Sequence, residues 1–267
     1  MHPTEDLIPI LKKLRLSGVL ESLDLRRRQA VDDSLSFDEF LYRLLYDEVE
    51  RRDGKQMASR LRRANFEGSK TFDGFDFNFN PKIQKHRIID LATCNFVSRR
   101  ENVLLIGKTG VGKSHVAQAI GHRACISGHH VLYTSAHDML TQLRASRADD
   151  SLDRRMLRFV SPDLLIIDDL GIRPLRHDEP IDLYEVIRQR YEHGSTIITS
   201  NRTIEEWPPL FGDPLMASAA MDRLLHHCQV QGHHLQQFGR QLLSGRRRGQ
   251  LRAHVSANVP RRQGVRR

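Results

Sequence analysis

Between residues 102 and 200, short apolar runs alternate with longer stretches in which apolar residues recur at helical spacing. The apolar runs have the length and β-branched content of buried strands and lie at 103–106, 131–134, 164–168 and 196–200. The stretches between them predict helices at 113–127, 136–145, 151–160 and 180–193. This alternation predicts an α/β fold, in which right-handed crossovers place helices on both faces of a parallel sheet.

The first 66 residues have helical spacing and contain no strand-like run. Ser36 and Glu39 have the spacing of a capping box, in which Ser36 caps a helix and Glu39 reaches back to it. The apolar residues that follow fall on one face of that helix: Phe37, Phe40, Leu41, Leu44, Leu45 and Val49. A small all-α module is therefore expected before the sheet.

Together these patterns divide the chain into four segments. They are a helical N-terminal module at 1–66, a phenylalanine-rich linker at 67–82, an α/β domain at 83–230 and an arginine-rich tail at 231–267. The tail has no periodic apolar pattern, so we expect it to be disordered.

The tail also accounts for the whole net charge of +9. It holds nine arginines and no acid, which leaves 33 basic residues (42 minus 9) against 33 acidic ones in the rest of the chain. Electrostatic attraction to DNA must therefore come from the tail or from local clusters. One cluster contains Arg51, Arg52, Lys55, Arg60, Arg62, Arg63 and Lys70. It is either a solvated helix face or a patch that contacts phosphates.

Cysteine and histidine usage argues against a disulfide framework or a zinc site. Cys94, Cys125 and Cys228 lie far apart without a C-x-x-C pair, which predicts a reduced, cytoplasmic protein. No membrane span or secretory signal is recognisable. The histidine pairs at 129/130, 226/227 and 233/234 are interpreted as polar surface, because neighbouring side chains on a helix or strand diverge.

The strongest chemical motif runs from Gly107 to Ser114 and fits the phosphate-loop pattern G-x-x-x-x-G-K-[ST], between a predicted strand and a predicted helix. Its glycines Gly107, Gly110 and Gly112 permit backbone angles that turn N–H groups towards a polyphosphate. Lys113 is expected to reach the β- and γ-phosphates of ATP, and Ser114 to ligate Mg2+. The predicted nucleotide-binding residues are Gly107, Lys108, Thr109, Gly110, Val111, Gly112, Lys113, Ser114 and His115.

A second motif places two acids at the end of the apolar run 164–167. Strand ends meet at one edge of a parallel sheet, so we expect Asp168 and Asp169 beside the phosphate loop. Asp168 is expected to hold Mg2+, and Asp169 to orient or deprotonate the attacking water.

Two further residues have weaker signals. Asn201 follows another predicted strand and could bind the γ-phosphate or the water, or else cap the turn into Thr203–Trp207. Arg223 lies on an amphipathic helix and is either a solvent-exposed side chain or an arginine finger that acts on the ATP of a neighbouring subunit.

The linker carries Phe72, Phe75, Phe77 and Phe79 among polar residues. Such interleaving could form a base-stacking platform for nucleic acid, but no basic residue lies among these rings. That absence favours a linker that is anchored to the domain surface or that covers the adenine base.

The segments GKTGVGKS, LLIIDDLG (164–171), TSNR (199–202) and MDRLLHH (221–227) resemble the IstB-like insertion-sequence ATP-binding proteins. These are relatives of the DnaC helicase loaders among the AAA+ ATPases, and the likeness covers about residues 5–230. It implies a sheet of order 5-1-4-3-2 and ATP-dependent homo-oligomers on DNA. Such proteins assist the transposase of the same mobile element in target selection and insertion.

The resemblance also assigns roles to single residues. Lys113 and Ser114 match the Walker A lysine and serine, and Asp168 and Asp169 match Walker B, with Asp169 where most AAA+ proteins have glutamate. Asn201 matches sensor 1 and Arg223 matches the finger. The implied catalytic set is Lys113, Asp169, Asn201 and Arg223, with Mg2+ held by Ser114 and Asp168.

After Val230 the chain departs from this family. A fifth apolar strand and a segment with the sensor 2 arginine are expected there, and neither is recognisable. We interpret the abrupt change of composition as a frameshift near codon 230, which translation of the other reading frames would test. Two alternatives to a transposition ATPase remain: a replicative helicase loader, or a DNA-binding or assembly module that hydrolyses little ATP.

Overall fold

The computed structural model describes residues 3–77 and 85–232, and the chain divides into two compact units between Arg62 and Arg63. The described residues of the N-terminal unit form helices that are joined by short turns. Its helices are α1 (Pro3–Lys13), α2 (Ser17–Asp32) and α3 (Phe37–Arg63).

Few residues form the core of the N-terminal unit. Its buried apolar side chains are Leu11, Val19, Leu23 and Leu44. Of the apolar face predicted for α3, only Leu44 is buried, Phe40 packs partly against the core and Phe37 is 93% exposed. Ser36 does cap the helix, since its Oγ accepts the N–H of Glu39 at 3.2 Å, but the Glu39 carboxylate pairs with Arg43 instead of the cap.

The second unit contains the predicted α/β domain. Its strands are β1 (Asn102–Ile106), β2 (Val131–Ser135), β3 (Leu164–Leu170), β4 (Ser195–Ser200) and β5 (Cys228–Gly232). Its helices are α4 (Lys85–Ala92), α5 (Asn95–Ser98), α6 (Lys113–Ile126), α7 (Ala136–Ser146), α8 (Leu152–Val160), α9 (Glu179–Arg190), α10 (Pro208–Phe211) and α11 (Pro214–His226), with a 3-10 turn at Ile204–Glu206.

All five strands are parallel, and their order is β2-β3-β4-β1-β5. This is the order that the family resemblance implies, so the α/β fold prediction is confirmed. In such a sheet the carboxyl ends of β1, β3 and β4 lie side by side. The phosphate loop, the two acids and Asn201 follow or end these three strands.

The expectation that the fifth strand is missing is wrong. Strand β5 pairs with β1 along its whole length, from Asn102 opposite Cys228 to Ile106 opposite Gly232. Its sequence Cys-Gln-Val-Gln-Gly alternates apolar and polar residues, which suits an edge strand with one face on the core. The expected strand was a continuous apolar run, which is the pattern of a central strand.

The main core of this unit is formed by apolar side chains from β1 to β4 and from helices α7 to α11. A buried arginine lies next to it: the Arg190 guanidinium donates to the carbonyls of Phe159, Val160 and Pro162 at 2.8–3.1 Å. Burial lowers the pKa of Arg190 to about 10. Arg190 therefore stabilises the turn between α8 and β3 and has a structural role. None of the described helices combines the length and the apolar character needed to cross a bilayer.

Candidate functional site

The phosphate loop connects β1 to α6, as predicted. Helix α6 begins at Lys113, directly after Gly112, so its free N–H groups face the region that the loop encloses. Gly110 and Gly112 have φ values of +82° and +92°, which side chains with a Cβ rarely adopt. Gly107 does not have a positive φ. The Lys113 ammonium donates to the carbonyl of Lys108 at 3.0 Å.

Asp168 is the central acid of the site. It lies on β3, is 5% exposed and accepts hydrogen bonds on both carboxylate oxygens. Ser114 Oγ donates to its Oδ1 at 2.9 Å, so the two predicted metal ligands, 54 residues apart in sequence, lie in direct contact. Within the part of the chain that the structure describes, Asp168 has no ion-pair partner in direct contact, and Lys113 is a cation that acts on its charge electrostatically.

Two hydroxyl groups that bind Asp168 were missed by the sequence analysis. Tyr133 Oη, from β2, donates to Oδ2 at 2.6 Å, and Thr199 Oγ1, from β4, donates to Oδ1. Desolvation, followed by the hydrogen bond to Asp168, raises the pKa of Tyr133 and keeps it protonated. Thr199 belongs to the motif TSNR and lies two positions before Asn201. Because alternate residues of a strand point to the same face, this spacing could have indicated that Thr199 faces the site. No motif in the sequence indicates Tyr133.

Asp169 is exposed and has a φ of +59°, an uncommon angle for a residue with a side chain. Its N–H donates to Thr199 Oγ1 at 2.9 Å, at a register shift between β3 and β4. The turned backbone therefore sends neighbouring carboxylates in different directions, Asp168 inwards and Asp169 outwards. Strained angles of this kind concentrate at functional sites.

Lys113 and the two acids influence one another electrostatically. Desolvation lowers the pKa of Lys113, and the charges of Asp169 and Asp168 oppose that change. Desolvation and then the charge of Asp168 raise the pKa of Asp169, with Lys113 opposing. Asp169 is thus a stronger base than an ordinary aspartate, which suits a group that accepts a proton from water.

Asn201 directly follows β4, between the ends of β1 and β3, and its side chain is exposed. The alternative role considered for it, capping of the next turn, belongs to another residue. Thr203 caps that turn, in a capping box with Glu206. Asn201 is therefore available to a ligand at the carboxyl edge of the sheet.

Arg223 lies on α11 and is half-buried. Its Nη1 donates to the carbonyl of Ala219 at 2.9 Å, and its guanidinium carbon lies 5.5 Å from the centre of the Tyr184 ring. Neither partner belongs to the predicted site. The structure thus brings Lys113, Ser114, Asp168 and Asp169 together and leaves Arg223 bound elsewhere on its own subunit.

The linker packs against the phosphate loop through one phenylalanine. The Phe75 ring centre lies 5.1 Å from that of His115, and a Cβ at Gly112 would lie 3.2 Å from the Phe75 ring. His115 Nε2 is also 2.9 Å from the carbonyl oxygen of Thr71. These contacts favour an anchored linker over a base-stacking platform, while Phe79 lies outside the described residues.

One histidine pair differs from its prediction. The rings of His226 and His227 do not diverge: their centres are 4.2 Å apart. The reason is that His227 is the C-cap of α11, with φ −128° and ψ 73°, so it no longer follows helical geometry. Both side chains lie near Glu192, and all three are exposed. The pair at 233/234 lies outside the described residues.

Several cations of the basic cluster already have acidic partners. Arg51 binds Glu21 at 3.1 Å, Arg52 binds Glu48 at 2.7 Å and Lys70 lies 3.6 Å from Glu67. These three pairs favour a salt-bridged helix surface over a purely phosphate-contacting patch. Neighbouring carboxylates therefore balance part of the positive charge of the cluster.

Comparison with known proteins shows the relationship of the chain. A family model described as IstB-like ATP binding protein matches residues 9–237. The putative ATP-binding protein of insertion sequence IS5376 from Geobacillus stearothermophilus is 36% identical over 215 residues, 80% of this chain and 86% of that protein. The putative ATP-binding protein Rv3427c in an insertion sequence of Mycobacterium tuberculosis is 40% identical over 217 residues, 81% of this chain and 86% of that protein.

Among solved structures, AMPPCP-bound DnaA from Aquifex aeolicus is similar in fold. The TM-score is 0.52 at 20% sequence identity, over 62% of this chain and 51% of that chain. At this identity the likeness concerns the fold alone, an AAA+ P-loop NTPase sheet with its helices.

The family match also corrects the expected end of the resemblance. It continues past Val230 to residue 237, and β5 occupies part of this stretch. The resemblance therefore does not stop where the frameshift was placed. The segment in which sensor 2 was sought, and most of the arginine-rich tail, lie outside the described residues.

Proposed function

Because the chain belongs to the family of IstB-like ATP-binding proteins, we propose that it binds Mg2+-ATP at Gly107–Ser114 and hydrolyses it. We further propose that it does so on DNA, as a homo-oligomer that assists the transposase of its mobile element. The named relatives are ATP-binding proteins of insertion sequences, which supports the transposition context.

The observation that carries the nucleotide site is the contact between Ser114 and Asp168. A hydroxyl at the start of α6 and a carboxylate at the end of β3 meet at 2.9 Å, and Lys113 is the adjacent cation. A glycine-rich strand-to-helix turn without a ligand needs no buried carboxylate beside it. The arrangement instead joins an anion-binding loop to a cation-binding acid.

The donor set fits Mg2+. Ser114 donates its only proton to Asp168, so the lone pairs of its oxygen remain available to a metal. Oxygen ligands from one or two side chains, completed by phosphates and water, are what Mg2+ prefers. A Mg2+ ion held there would neutralise charge on the phosphates during transfer.

The remaining residues act on the phosphates and the water. Lys113 and the loop N–H groups bind the β- and γ-phosphates and hold the terminal phosphorus in position. Asp169 accepts a proton from the attacking water, and Asn201 orients that water or the γ-phosphate. Arg223, extended from its contact with Tyr184, stabilises the transition-state charge on the ATP of a neighbouring subunit.

An ATPase assay with and without DNA tests this function most directly. We expect hydrolysis that requires Mg2+, increases with DNA and increases per site with protein concentration, since Arg223 acts between subunits. Lys113→Ala should abolish ATP binding, and Arg223→Ala should reduce hydrolysis while nucleotide affinity stays unchanged.

Four results would contradict parts of the proposal. Wild-type affinity for Mg2+-ATP in Lys113→Ala would remove the phosphate-loop assignment. A rate per site that is independent of protein concentration and DNA would remove the role of Arg223 between subunits. Binding without measurable hydrolysis would favour an assembly module, and co-purification with a helicase instead of a transposase would favour a helicase loader.

The salt dependence of DNA affinity tests the proposed contact with DNA. A steep loss of DNA affinity with increasing salt is expected if lysines and arginines bind phosphates. Charge reversal at Arg60, Arg62 and Arg63 should then lower both the affinity and its salt dependence. Unchanged binding in the triple variant would direct the search to the arginine-rich tail.

A further inference from the structure

Tyr133 connects the metal-binding acid to the segment that follows the N-terminal unit. It lies on β2, which is one of the two edge strands of the sheet, and it is 2% exposed. Its hydroxyl donates to Asp168 Oδ2 at 2.6 Å, while its backbone faces the residues directly after α3.

Those residues, Ala64–Phe66, are called the strap here. The carbonyl of Ala64 accepts the N–H of Tyr133 at 2.8 Å, and Asn65 Nδ2 donates to the Tyr133 carbonyl at 3.4 Å. Both backbone groups on the open side of β2 at Tyr133 are therefore satisfied by the strap. Hydrogen bonds of this kind cover a sheet edge and fix the position of the residue that they bind.

The strap also packs against the Tyr133 ring and against helix α6. The Phe66 ring centre lies 6.4 Å from that of Tyr133, and a Cβ at Gly121 of α6 would lie 2.9 Å from the Phe66 ring. Phe66 is thus held between β2 and the helix that begins at the phosphate loop. Directly after the strap, the N–H of Glu67 donates to Gln118 of the same helix at 2.9 Å.

The hydroxyl of Tyr133 restricts the Asp168 carboxylate. A carboxylate has about four acceptor positions, and Ser114, Thr199 and Tyr133 occupy three of them. Ser114 and Thr199 share Oδ1, so Tyr133 is the described donor that fixes Oδ2. Without it, the carboxylate could rotate away from the geometry that a metal ion requires. Hydrogen bonds to a charged acceptor are about twice as strong as neutral ones.

We propose that Tyr133, held by the strap, is a positioning residue that fixes Asp168 for Mg2+ and so sets the metal dependence of nucleotide binding. The proposal rests on the proposed Mg2+-ATP site.

The test is a titration of Mg2+ at a fixed concentration of a fluorescent ATP analogue, with the full chain. Tyr133→Phe keeps the ring and removes the hydroxyl, and we expect it to raise the Mg2+ concentration for half-maximal binding about tenfold. Affinity for the analogue in EDTA should equal that of wild type. The matched control is Tyr191→Phe, which removes a hydroxyl whose partner is His226, outside the site, and should not change either value.

A second pair of variants tests the strap. Phe66→Ala removes the ring that packs on Tyr133 and should shift the Mg2+ midpoint in the same direction, by a smaller factor. Phe66→Leu keeps most of the apolar contact and should restore the midpoint. Fluorescence of the single tryptophan, the buried Trp207, checks that each variant is folded.

The outcomes separate the two proposals. A Mg2+ midpoint for Tyr133→Phe within about twofold of wild type would overturn the role of Tyr133 alone. An equal loss of affinity with and without Mg2+ would mean that Tyr133 only supports the fold, which also overturns it. If wild-type binding does not depend on Mg2+ at all, the proposed metal site fails together with this inference. If the Mg2+ midpoint of Phe66→Ala equals that of wild type, the strap has no role in Mg2+ binding.

Discussion

Two buried acids, one chosen from each unit of this chain, have surroundings that differ in an instructive way. Glu48 lies in the helical N-terminal unit and Asp168 in the α/β unit, and they are 4% and 5% exposed. Glu48 pairs with Arg52 and accepts the N–H groups of Gly18 and Val19. Asp168 accepts only hydroxyl groups and, among the described residues, has no ion pair.

The difference lies in how the negative charge is balanced. Burial alone would raise the pKa of Glu48, but Arg52 and the N–H groups at the start of α2 bring it below its ordinary value. The Glu48 charge is thus used within the fold, where it joins α2 to α3. The hydroxyl donors of Asp168 orient its carboxylate without supplying a positive charge. Such surroundings suit the proposed role of Asp168 as a ligand of Mg2+, whereas the Glu48 carboxylate is already paired with Arg52.

The most severe test of this comparison is Asp168→Asn. We expect hydrolysis to fall at least about a hundredfold, because the metal-binding charge is lost while the amide keeps a similar shape. The free energy of unfolding should change little, because removal of a buried charge offsets the weakening of the hydrogen bonds from Ser114, Tyr133 and Thr199. ATPase rates and chemical denaturation followed by Trp207 fluorescence measure both effects. Loss of stability with normal hydrolysis would make Asp168 structural, like Glu48.

Asp169 should show the next largest effect. Replacement by asparagine should reduce hydrolysis about a hundredfold, the lower end of the range for a general base, and leave nucleotide affinity unchanged. In wild type, Asp169 must be ionised to accept a proton, and its pKa is raised. Hydrolysis should therefore begin to fall, as the pH is lowered, at a higher pH than an ordinary aspartate would give. If the hydrolysis rate of Asp169→Asn falls at the same pH as that of wild type when the pH is lowered, a group other than Asp169 causes the decrease.

The features of the fold and of the candidate site that could be predicted from the sequence are those that depend on neighbouring residues in the chain. Gly107–Ser114 was recognisable because its chemistry needs consecutive residues, and the sheet order followed from the family resemblance. Strand β5 was missed because an edge strand with one buried face needs only alternating apolar residues, such as Cys228 and Val230.

The surroundings of the acids could not be predicted in the same way. Tyr133 reaches Asp168 only because β2 lies beside β3 in this register, with Ser135 opposite Asp168. Glu48 occupies a helix position that resembles the neighbouring exposed acids, and its burial results from the close approach of Gly18. A Cβ on Gly18 would lie 2.7 Å from the Cα of Glu48. Contacts between distant segments leave no spacing pattern in the chain.

Glu48→Ala tests the other side of the comparison. It leaves the N–H groups of Gly18 and Val19 without their acceptor and should cost about 2 kcal/mol in the N-terminal unit. Hydrogen exchange of α2 and α3 amides measures this loss, and Trp207 fluorescence reports the other unit. Because the pKa of Glu48 is lowered, its contribution is complete above the pKa of the unfolded chain and is lost as pH falls towards the folded value. Reduced affinity for Mg2+-ATP in this variant would contradict a purely structural role.

The smallest effects should come from the arginines that neighbour Glu48 in sequence. Arg52 binds the buried Glu48, whereas Arg51 binds Glu21, whose side chain is 67% exposed. Arg52→Gln should destabilise the N-terminal unit by about 1 kcal/mol, and Arg51→Gln by less than about 0.5 kcal/mol, because exposed ion pairs are screened by water. Hydrogen exchange again distinguishes the two variants, and equal losses would mean that burial of the partner does not matter here. The same pair also bears on DNA binding: if Arg51→Gln weakens DNA affinity and its salt dependence while stability is unchanged, Arg51 contacts phosphate and its ion pair with Glu21 opens on binding.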